Sequence, residues 1–133
     1  MIQKILDTNI CIYIIKNKPL QVKKRFEEFK PGELALSSIT VSELFYGAYK
    51  SLYTKKNLIA LEHFLLPFDI VDFDYNASIE YGKIRAFLEK NGTVIGNMDM
   101  QIAAIAKSLD ITLVTNNLKE FSRIEGLKLE NWV

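Results

Sequence analysis

The strongest constraint on the fold is the alternation of short apolar runs with longer segments of helical periodicity. Three runs are apolar enough to be buried strands, and two weaker ones are also strand candidates: Ile2–Leu6, Leu34–Leu36, Ile111–Thr115, then Asp69–Phe73 and Leu127–Leu129. Short strands that are apolar at nearly every position are typical of a sheet covered on both faces.

Apolar residues between these runs recur with helical spacing. The clearest stripe is Met98, Ile102, Ile105, Ala106 and Leu109, which lies on one face of a helix. Strands that alternate with helices predict an α/β fold with a mostly parallel central sheet and helices on both faces. A chain of 133 residues suits one core, so we expect a single domain over residues 1–133.

The overall charge is nearly balanced but unevenly distributed. The chain has 17 basic and 16 acidic side chains, which argues against a uniformly basic protein that coats nucleic acid. Residues 1–57 carry ten basic and five acidic side chains, whereas residues 58–133 carry seven and eleven. The first part is therefore basic and the remainder acidic.

The single cysteine indicates a reducing compartment. Cys11 has no partner for an internal disulfide and stands in the apolar run Ile10–Ile15, which predicts a buried thiol. That run is too short for a membrane span or a signal-peptide core. We therefore expect a cytoplasmic protein.

Polar side chains from distant segments follow the predicted strands. Asp7 comes directly after the first strand, and Glu43 and Asp99 lie in the predicted first turns of helices. Thr115, with Asn116-Asn117 after it, follows the strand that begins at Ile111. Because carboxyl ends of parallel strands share one edge with the N-termini of the following helices, these groups are expected to converge there.

Each of these residues also has a purely structural interpretation. Asp7 or Thr8 fits a helix N-cap, Thr40-x-x-Glu43 fits a capping box, Asp99 suits a helix dipole, and Asn116-Asn117 suits a turn. Capping does not require that the acids gather on one edge. That gathering is what favours a functional interpretation.

Clustered carboxylates repel one another strongly. Two of them about 5 Å apart repel by roughly 3 kcal/mol at an effective dielectric constant near 20. Protonation, a basic side chain or a bound cation must relieve that repulsion. Hard oxygen ligands without a neighbouring histidine or cysteine favour Mg²⁺, with Mn²⁺ as a substitute, and such ions are used in phosphodiester hydrolysis.

Three segments in this order resemble PIN-domain ribonucleases, and a fourth segment together with the ending of the chain resembles the VapC toxins of that group. They are Leu6-Asp7-Thr8-Asn9-Ile10, Ser38-Ile39-Thr40-Val41-Ser42-Glu43-Leu44-x-x-Gly47, Gly96-Asn97-Met98-Asp99-x-x-Ile102-Ala103, and Leu113-Val114-Thr115-Asn116-Asn117-x-x-Glu120-Phe121 with the ending Gly126-Leu127-x-Leu129-Glu130-Asn131-Trp132. The resemblance extends from Leu6 to Trp132.

The resemblance implies a Mg²⁺-dependent endoribonuclease toxin, usually homodimeric and held inactive by a VapB antitoxin. By motif position, Asp7, Glu43 and Asp99 would be the acidic triad, with Asp7 and Asp99 as leading metal ligands. The fourth acidic position of many PIN domains falls on the amide of Asn117, which puts a second metal ion in doubt. Thr115 would position water or phosphate.

Several similar toxins cut tRNA in the anticodon stem-loop, so the resemblance implies tRNA, with initiator tRNA first. Candidate RNA contacts are Lys16, Lys18, Lys23 and their neighbours Lys24 and Arg25, together with Arg85. An ordinary solvated helix face explains the lysines equally well. Tyr46, Tyr49 and Tyr53 could stack on bases, although core or partner-facing roles are more common, and His63 is expected on a helix surface.

Alternatives from other classes fit the motifs less well. A phosphoacceptor receiver domain normally has paired acids after its first strand and a lysine after a late strand, and both are absent here. A haloacid-dehalogenase-type phosphatase would need a second aspartate two residues after Asp7. A PIN domain that processes RNA or cuts DNA without an antitoxin stays open, as does a binding module that has lost activity.

Overall fold

The computed structural model describes residues 1–133, and strands alternate with helices throughout. The strands are β1 (Lys4–Leu6), β2 (Leu34–Ser37), β3 (Asp69–Val71), β4 (Thr112–Val114) and β5 (Leu129–Glu130). The helices are α1 (Thr8–Lys16), α2 (Leu20–Phe26), α3 (Ser38–Tyr49), α4 (Thr54–Leu65), α5 (Tyr75–Lys90), α6 (Asn97–Leu109) and α7 (Leu118–Phe121). The α/β prediction is confirmed, and all five predicted strands form.

The strands make one sheet in the order β3-β2-β1-β4-β5, with every neighbouring pair parallel. The chain builds outward from β1 through β2 to β3 and then crosses to β4 and β5 on the other side. The order therefore reverses between β1 and β4, where Ile5 is paired with Leu113. In open α/β sheets, the crevice outside the carboxyl ends at such a reversal is the usual ligand site.

Two apolar cores cover the two faces of this sheet. Alternate strand residues point to opposite faces, so Ile5 and Leu113 belong to one core while Leu6 and Val114 belong to the other. Ile102, Ile105 and Ala106 of the predicted α6 stripe lie in the first core, whereas Met98 and Leu109 at its two ends are exposed. Both faces are covered, which explains why the strands are apolar at almost every position.

Cys11 is fully buried in the second core, as predicted. Burial, together with the nearby negative charge of Asp7, raises the pKa of its thiol well above the ordinary value. This cysteine is therefore neutral and serves as a small core side chain. None of the helices combines the length and the apolar character needed to cross a membrane.

The start of α3 differs from the predicted one. Ser37, the last residue of β2, is its N-cap, and the Ser37 hydroxyl oxygen accepts a hydrogen bond of 3.0 Å from the Thr40 backbone N–H. The Thr40-x-x-Glu43 capping box is therefore wrong, and Glu43 lies in the second turn. The helix starts early because β2 runs straight into it, so the sheet decides where it begins.

Candidate active site

Asp7 and Thr115 meet at the point where the strand order reverses. Asp7 follows β1 and Thr115 follows β4, and the Thr115 hydroxyl donates a hydrogen bond of 2.9 Å to Asp7 Oδ2. Only 5% of Asp7 and 0% of Thr115 is exposed. The pairing of β1 with β4 therefore brings together two residues that are far apart in sequence.

Both carboxylate oxygens of Asp7 are held by the protein. Its Oδ1 accepts a hydrogen bond of 2.8 Å from the Thr8 backbone N–H, so Asp7 also caps α1. The Thr115 hydroxyl that binds Oδ2 accepts a bond of 3.0 Å from the Asn117 backbone N–H. These contacts fix the orientation of the carboxylate.

The pKa of Asp7 is raised above its ordinary value. Burial is the main cause, since it disfavours the charged form, and the negative charge of Glu43 adds to it. The hydrogen bonds from Thr115 and Thr8 act in the opposite direction. The ionised form of Asp7 is therefore energetically unfavourable unless a cation binds next to it.

Glu43 is attached to the same region through the hydroxyl of Thr8, which also contacts Thr40. The Thr8 hydroxyl lies 2.9 Å from Glu43 Oε1 and 3.1 Å from the Thr40 hydroxyl oxygen. Because a hydroxyl carries one proton, Thr8 donates to the Glu43 carboxylate and accepts from Thr40. Sequence reasoning missed Thr8 and Thr40 as site residues, although Thr8 stands inside the Asp7-Thr8-Asn9 motif.

Asp99 lies in the first turn of α6, as predicted, and faces the same acidic region. Its pKa is raised to about 6, first by burial and then by the negative charges of Asp7, Glu120 and Glu43. No hydrogen bond is among the causes to offset these effects. The negative charges of Asp7, Glu43 and Glu120 all act on Asp99. The fold therefore brings the three predicted acids close to one another and adds Glu120 to them.

Glu120 is the carboxylate that sequence reasoning did not assign. The Asn117 side-chain amide donates a hydrogen bond of 3.1 Å to Glu120 Oε2, on the single turn of α7. The resemblance placed the fourth acidic position on the neutral Asn117, but a negative charge is supplied three residues later. The Asn117-x-x-Glu120 spacing was the available signal, since residues three apart share a face of a helix.

These four carboxylates have no basic partner. The ion pairs of the protein involve Lys4, Arg25, Arg85 and Lys128 with acids elsewhere. Repulsion is therefore left to protonation or to a cation, and four oxygen donors suit a hard divalent ion. As they stand, no three His, Cys, Asp or Glu side chains are grouped tightly enough to ligate one ion. To bind one ion together, the carboxylate side chains would therefore have to rotate toward one another.

The predicted RNA-contacting residues lie farther from the acids. Lys16 is the last residue of α1, about 13 Å along the helix axis from the Asp7 cap. Lys16 and Lys18 are exposed, and Lys23 is half-buried on α2. Arg85 donates hydrogen bonds of 3.0 Å to Glu89 and to the Tyr81 hydroxyl oxygen.

Tyr81 links Arg85 to the start of the Asp99 helix. Its hydroxyl donates to the side-chain oxygen of Asn97, the first residue of α6. Among the candidate RNA contacts, Arg85 is thus connected through side chains to the start of a helix that carries a site acid. His63 is exposed on α4, as expected.

Thr115→Val should weaken both the fold and the site. Valine keeps the shape but removes the hydroxyl, which leaves a buried oxygen of Asp7 and the Asn117 N–H without partners. We expect the free energy of unfolding to fall by about 1–3 kcal/mol. Activity should fall about 10–100-fold, the usual range for residues that orient a ligand. Thr115→Ser keeps the hydroxyl and serves as the control; if it loses as much activity as Thr115→Val, the positioning role is wrong.

The parallel sheet, with its carboxylates collected where the strand order reverses, defines an α/β protein with an acidic site at the switch point. A family model described as PIN domain matches residues 4–127. The chain belongs to the PIN domain family, and relatives of high identity place it in the VapC branch. This membership excludes the receiver and dehalogenase alternatives.

The relatives are similar over their whole lengths. The chain is 46% identical over 133 residues to Ribonuclease VapC2 of Haemophilus influenzae, covering 100% of both chains. It is 45% identical over 132 residues to tRNA(fMet)-specific endonuclease VapC of Salmonella typhimurium, covering 99% of each.

Solved structures agree with this placement. The crystal structure of DNA-bound VapBC from Salmonella typhimurium contains a chain that is 44% identical, with a TM-score of 0.94 and 100% coverage of both chains. That of VapBC2 from Rickettsia felis, bound to a promoter DNA fragment, gives 42% identity, a TM-score of 0.91 and the same coverage.

Proposed function

We propose that this protein is a divalent-metal-dependent endoribonuclease that acts as the toxin of a toxin–antitoxin pair, with residues 1–133 as one functional domain. The observation that carries the proposal is the set of four carboxylates without a basic partner, at the switch point of a VapC-type PIN fold. Phosphodiester hydrolysis is the chemistry that such a site supports.

Asp7 and Asp99 would hold Mg²⁺, or Mn²⁺ in its place, and Glu43 would contribute directly or through water. Glu120 is positioned to add negative charge on the side of Asp99. A divalent ion held there would polarise the scissile phosphate and make an attacking water more acidic. Without the ion, the same carboxylates would repel the phosphate, so substrate binding and metal binding would be coupled.

The remaining polar residues would keep the carboxylates in place. Thr115 and the Thr8 backbone fix both oxygens of Asp7, and the Thr8 hydroxyl fixes Glu43. The Asn117 amide orients Glu120 and leaves its own oxygen free to hold water. Glu43 would orient the attacking water.

Transfer RNA is the proposed substrate, with the anticodon stem-loop of initiator tRNA as the first choice. Relatives at 44–46% identity include two named tRNA(fMet)-specific endonuclease and two named simply as VapC ribonucleases. A cut in the anticodon loop would block translation and so arrest growth. Arg85, Lys16, Lys18 and Lys23 are proposed contacts to the RNA backbone.

A VapB-type antitoxin is the proposed partner, together with a second copy of this chain. Two solved relatives are VapBC complexes that are described as bound to DNA. The DNA belongs to those complexes, so it does not indicate a DNA substrate for this chain.

The proposal is tested by sequencing RNA ends after brief expression of the wild-type chain and of Asp99→Asn. We expect the wild-type chain to cut one tRNA at one position in its anticodon region. Asp99→Asn should not make this cut. The purified chain should cut that tRNA with Mg²⁺ and leave the DNA oligonucleotide of the same sequence intact. Cuts spread over many RNAs would contradict the tRNA assignment, and cleavage of the DNA would support the DNA-nuclease alternative.

A further inference from the structure

The helical hairpin of α3 and α4 carries an exposed surface that is aromatic and basic. Residues 44–61 contain no aspartate or glutamate and include Lys50, Lys55 and Lys56. Tyr46, Tyr49 and Tyr53 are not in the core, because they are 65%, 65% and 67% exposed. Such exposure is unusual for three large side chains in one short segment, which indicates that the surface has a partner.

Part of this surface begins one helical turn from the acidic site. Tyr46 and Gly47 follow Glu43 by three and four residues on α3, and Lys50, the C-cap of that helix, follows it by seven, so all four share one face. The Lys50 ammonium nitrogen lies 4.8 Å from the centre of the Tyr46 ring. A flat aromatic ring and a positive charge therefore stand together along the line that leads away from Glu43.

Gly47 supplies a second, independent observation. A glycine inside a helix costs about 1 kcal/mol relative to alanine. A Cβ added at Gly47 would meet no atom within 4 Å, so no close packing within this chain explains the glycine. An open face at a helix glycine is expected where another molecule comes close to the backbone.

We propose that Tyr46, Gly47 and Lys50 form the path by which a single strand of RNA runs from the scissile phosphate across α3. A base next to the cut stacks on Tyr46, its phosphate is bound by Lys50, and Gly47 lets the strand lie against the helix. Tyr53, Lys55 and Lys56 extend the path at the start of α4. This inference deepens the proposed function and rests on it.

The chemistry of the surface favours RNA over a second copy of this chain. Stacking on tyrosine together with lysine contacts to phosphate is the usual combination in proteins that hold single-stranded nucleic acid. In a symmetric dimer formed through this patch, the patch would contact itself, which would bring its lysines together with no acid between them. An RNA strand neutralises all of them.

The test compares short and long RNA substrates that contain the mapped cut. Sites for single strands cover about 4–16 nucleotides, so oligonucleotides near the two ends of that range serve as probes. Tyr46→Ala should raise KM for the long RNA roughly 5- to 150-fold, the usual effect of losing one stacked base, and leave KM for the short RNA and kcat for both unchanged. Tyr46→Phe should restore the wild-type KM, because the ring remains.

Three further variants sharpen the test. Tyr75→Ala removes an exposed tyrosine at the start of α5 and should behave like the wild type. Lys50→Ala should reduce the slope of log KM against log salt by about 0.7, the contribution of one contact to single-stranded phosphate. Gly47→Ala should raise KM for the long RNA without lowering the melting temperature.

The outcomes separate this inference from the proposed function. If the wild-type chain cuts neither RNA, the proposed function fails. If it cuts both and Tyr46→Ala has a normal KM for the long one, the RNA path is wrong. A variant that cuts normally but changes the oligomeric state in sedimentation, or loses binding to the antitoxin, assigns the surface to a protein partner and overturns the proposal.

Discussion

Asp99→Asn should abolish RNA cleavage while leaving the fold intact. The amide keeps the size of the side chain but loses the charge that a divalent ion requires, and we expect the cleavage rate to fall by at least about 10²–10³-fold. The variant should be no less stable than the wild type, because it removes the repulsion that raises the pKa of Asp99 to about 6. Single-turnover cleavage and thermal unfolding measure the two effects.

The matched control is Asp110→Asn, the same change at the other end of α6. Asp110 is the C-cap, with φ 53°, a left-handed conformation that asparagine adopts readily. Its ion pair with Lys128 is exposed and adds little to stability. The control should cut RNA at the normal rate. Normal cleavage by Asp99→Asn would mean that the acidic site has been assigned to the wrong residues.

The second large effect is on the pH dependence of stability. The folded pKa of Asp99, about 6, lies above its ordinary value of 3.8, so the folded state binds the proton more tightly than the unfolded state does. The stabilisation from this group is present below pH 3.8 and is lost as the pH rises through 6. We expect a loss of roughly 1–2 kcal/mol between these limits, less than the full shift implies because Asp99 is partly exposed.

Mg²⁺ should reverse this loss, because it binds the ionised carboxylates. At pH 8, saturating Mg²⁺ should raise the melting temperature by about 2–8 °C for each kcal/mol recovered, whereas at pH 5 the response should be smaller because Asp99 is largely protonated. Calorimetry at both pH values, with and without the ion, measures the difference. Asp99→Asn should show neither the pH-dependent loss nor most of the response to Mg²⁺. A wild-type melting curve that saturating Mg²⁺ leaves unchanged at pH 8 would count against a preassembled site.

Glu120 shows most clearly what could not be predicted from the residues. The resemblance to PIN-domain ribonucleases indicated a weakened acidic position, because the fourth acidic position of many such domains falls on the amide of Asn117. In the fold, α7 is a single turn that begins just beyond Asn117, so Glu120 contributes its charge beside Asp99. A local sequence pattern shows which residue types a helix contains. It does not show which of their side chains lies near a residue on another helix or strand.

The threonines illustrate the same limit. Thr8 and Thr40 look like capping residues in sequence, and the contacts that Thr8 makes with Thr40 and Glu43 exist because α1 and α3 start from neighbouring strands. The capping box at Thr40 was wrong for a related reason: β2 passes directly into α3, and Ser37 caps the helix instead. In both cases the start of the helix is decided by the strand before it.

The sequence by itself determined the alternation of strands and helices, the two-faced burial of the sheet, the buried thiol of Cys11 and the collection of Asp7, Glu43 and Asp99 at one edge. These follow from the periodicity of apolar residues and from the rule that parallel strands have their carboxyl ends at the same edge of the sheet. Both can be used with the linear sequence alone. The tertiary structure alone decided that the carboxylates have no basic partner, that Glu120 joins them and that Tyr46 and Lys50 stand exposed beside Glu43. Those facts depend on strand order and on the rotation of each helix about its axis, because through-space distances between side chains set charge interactions and exposure.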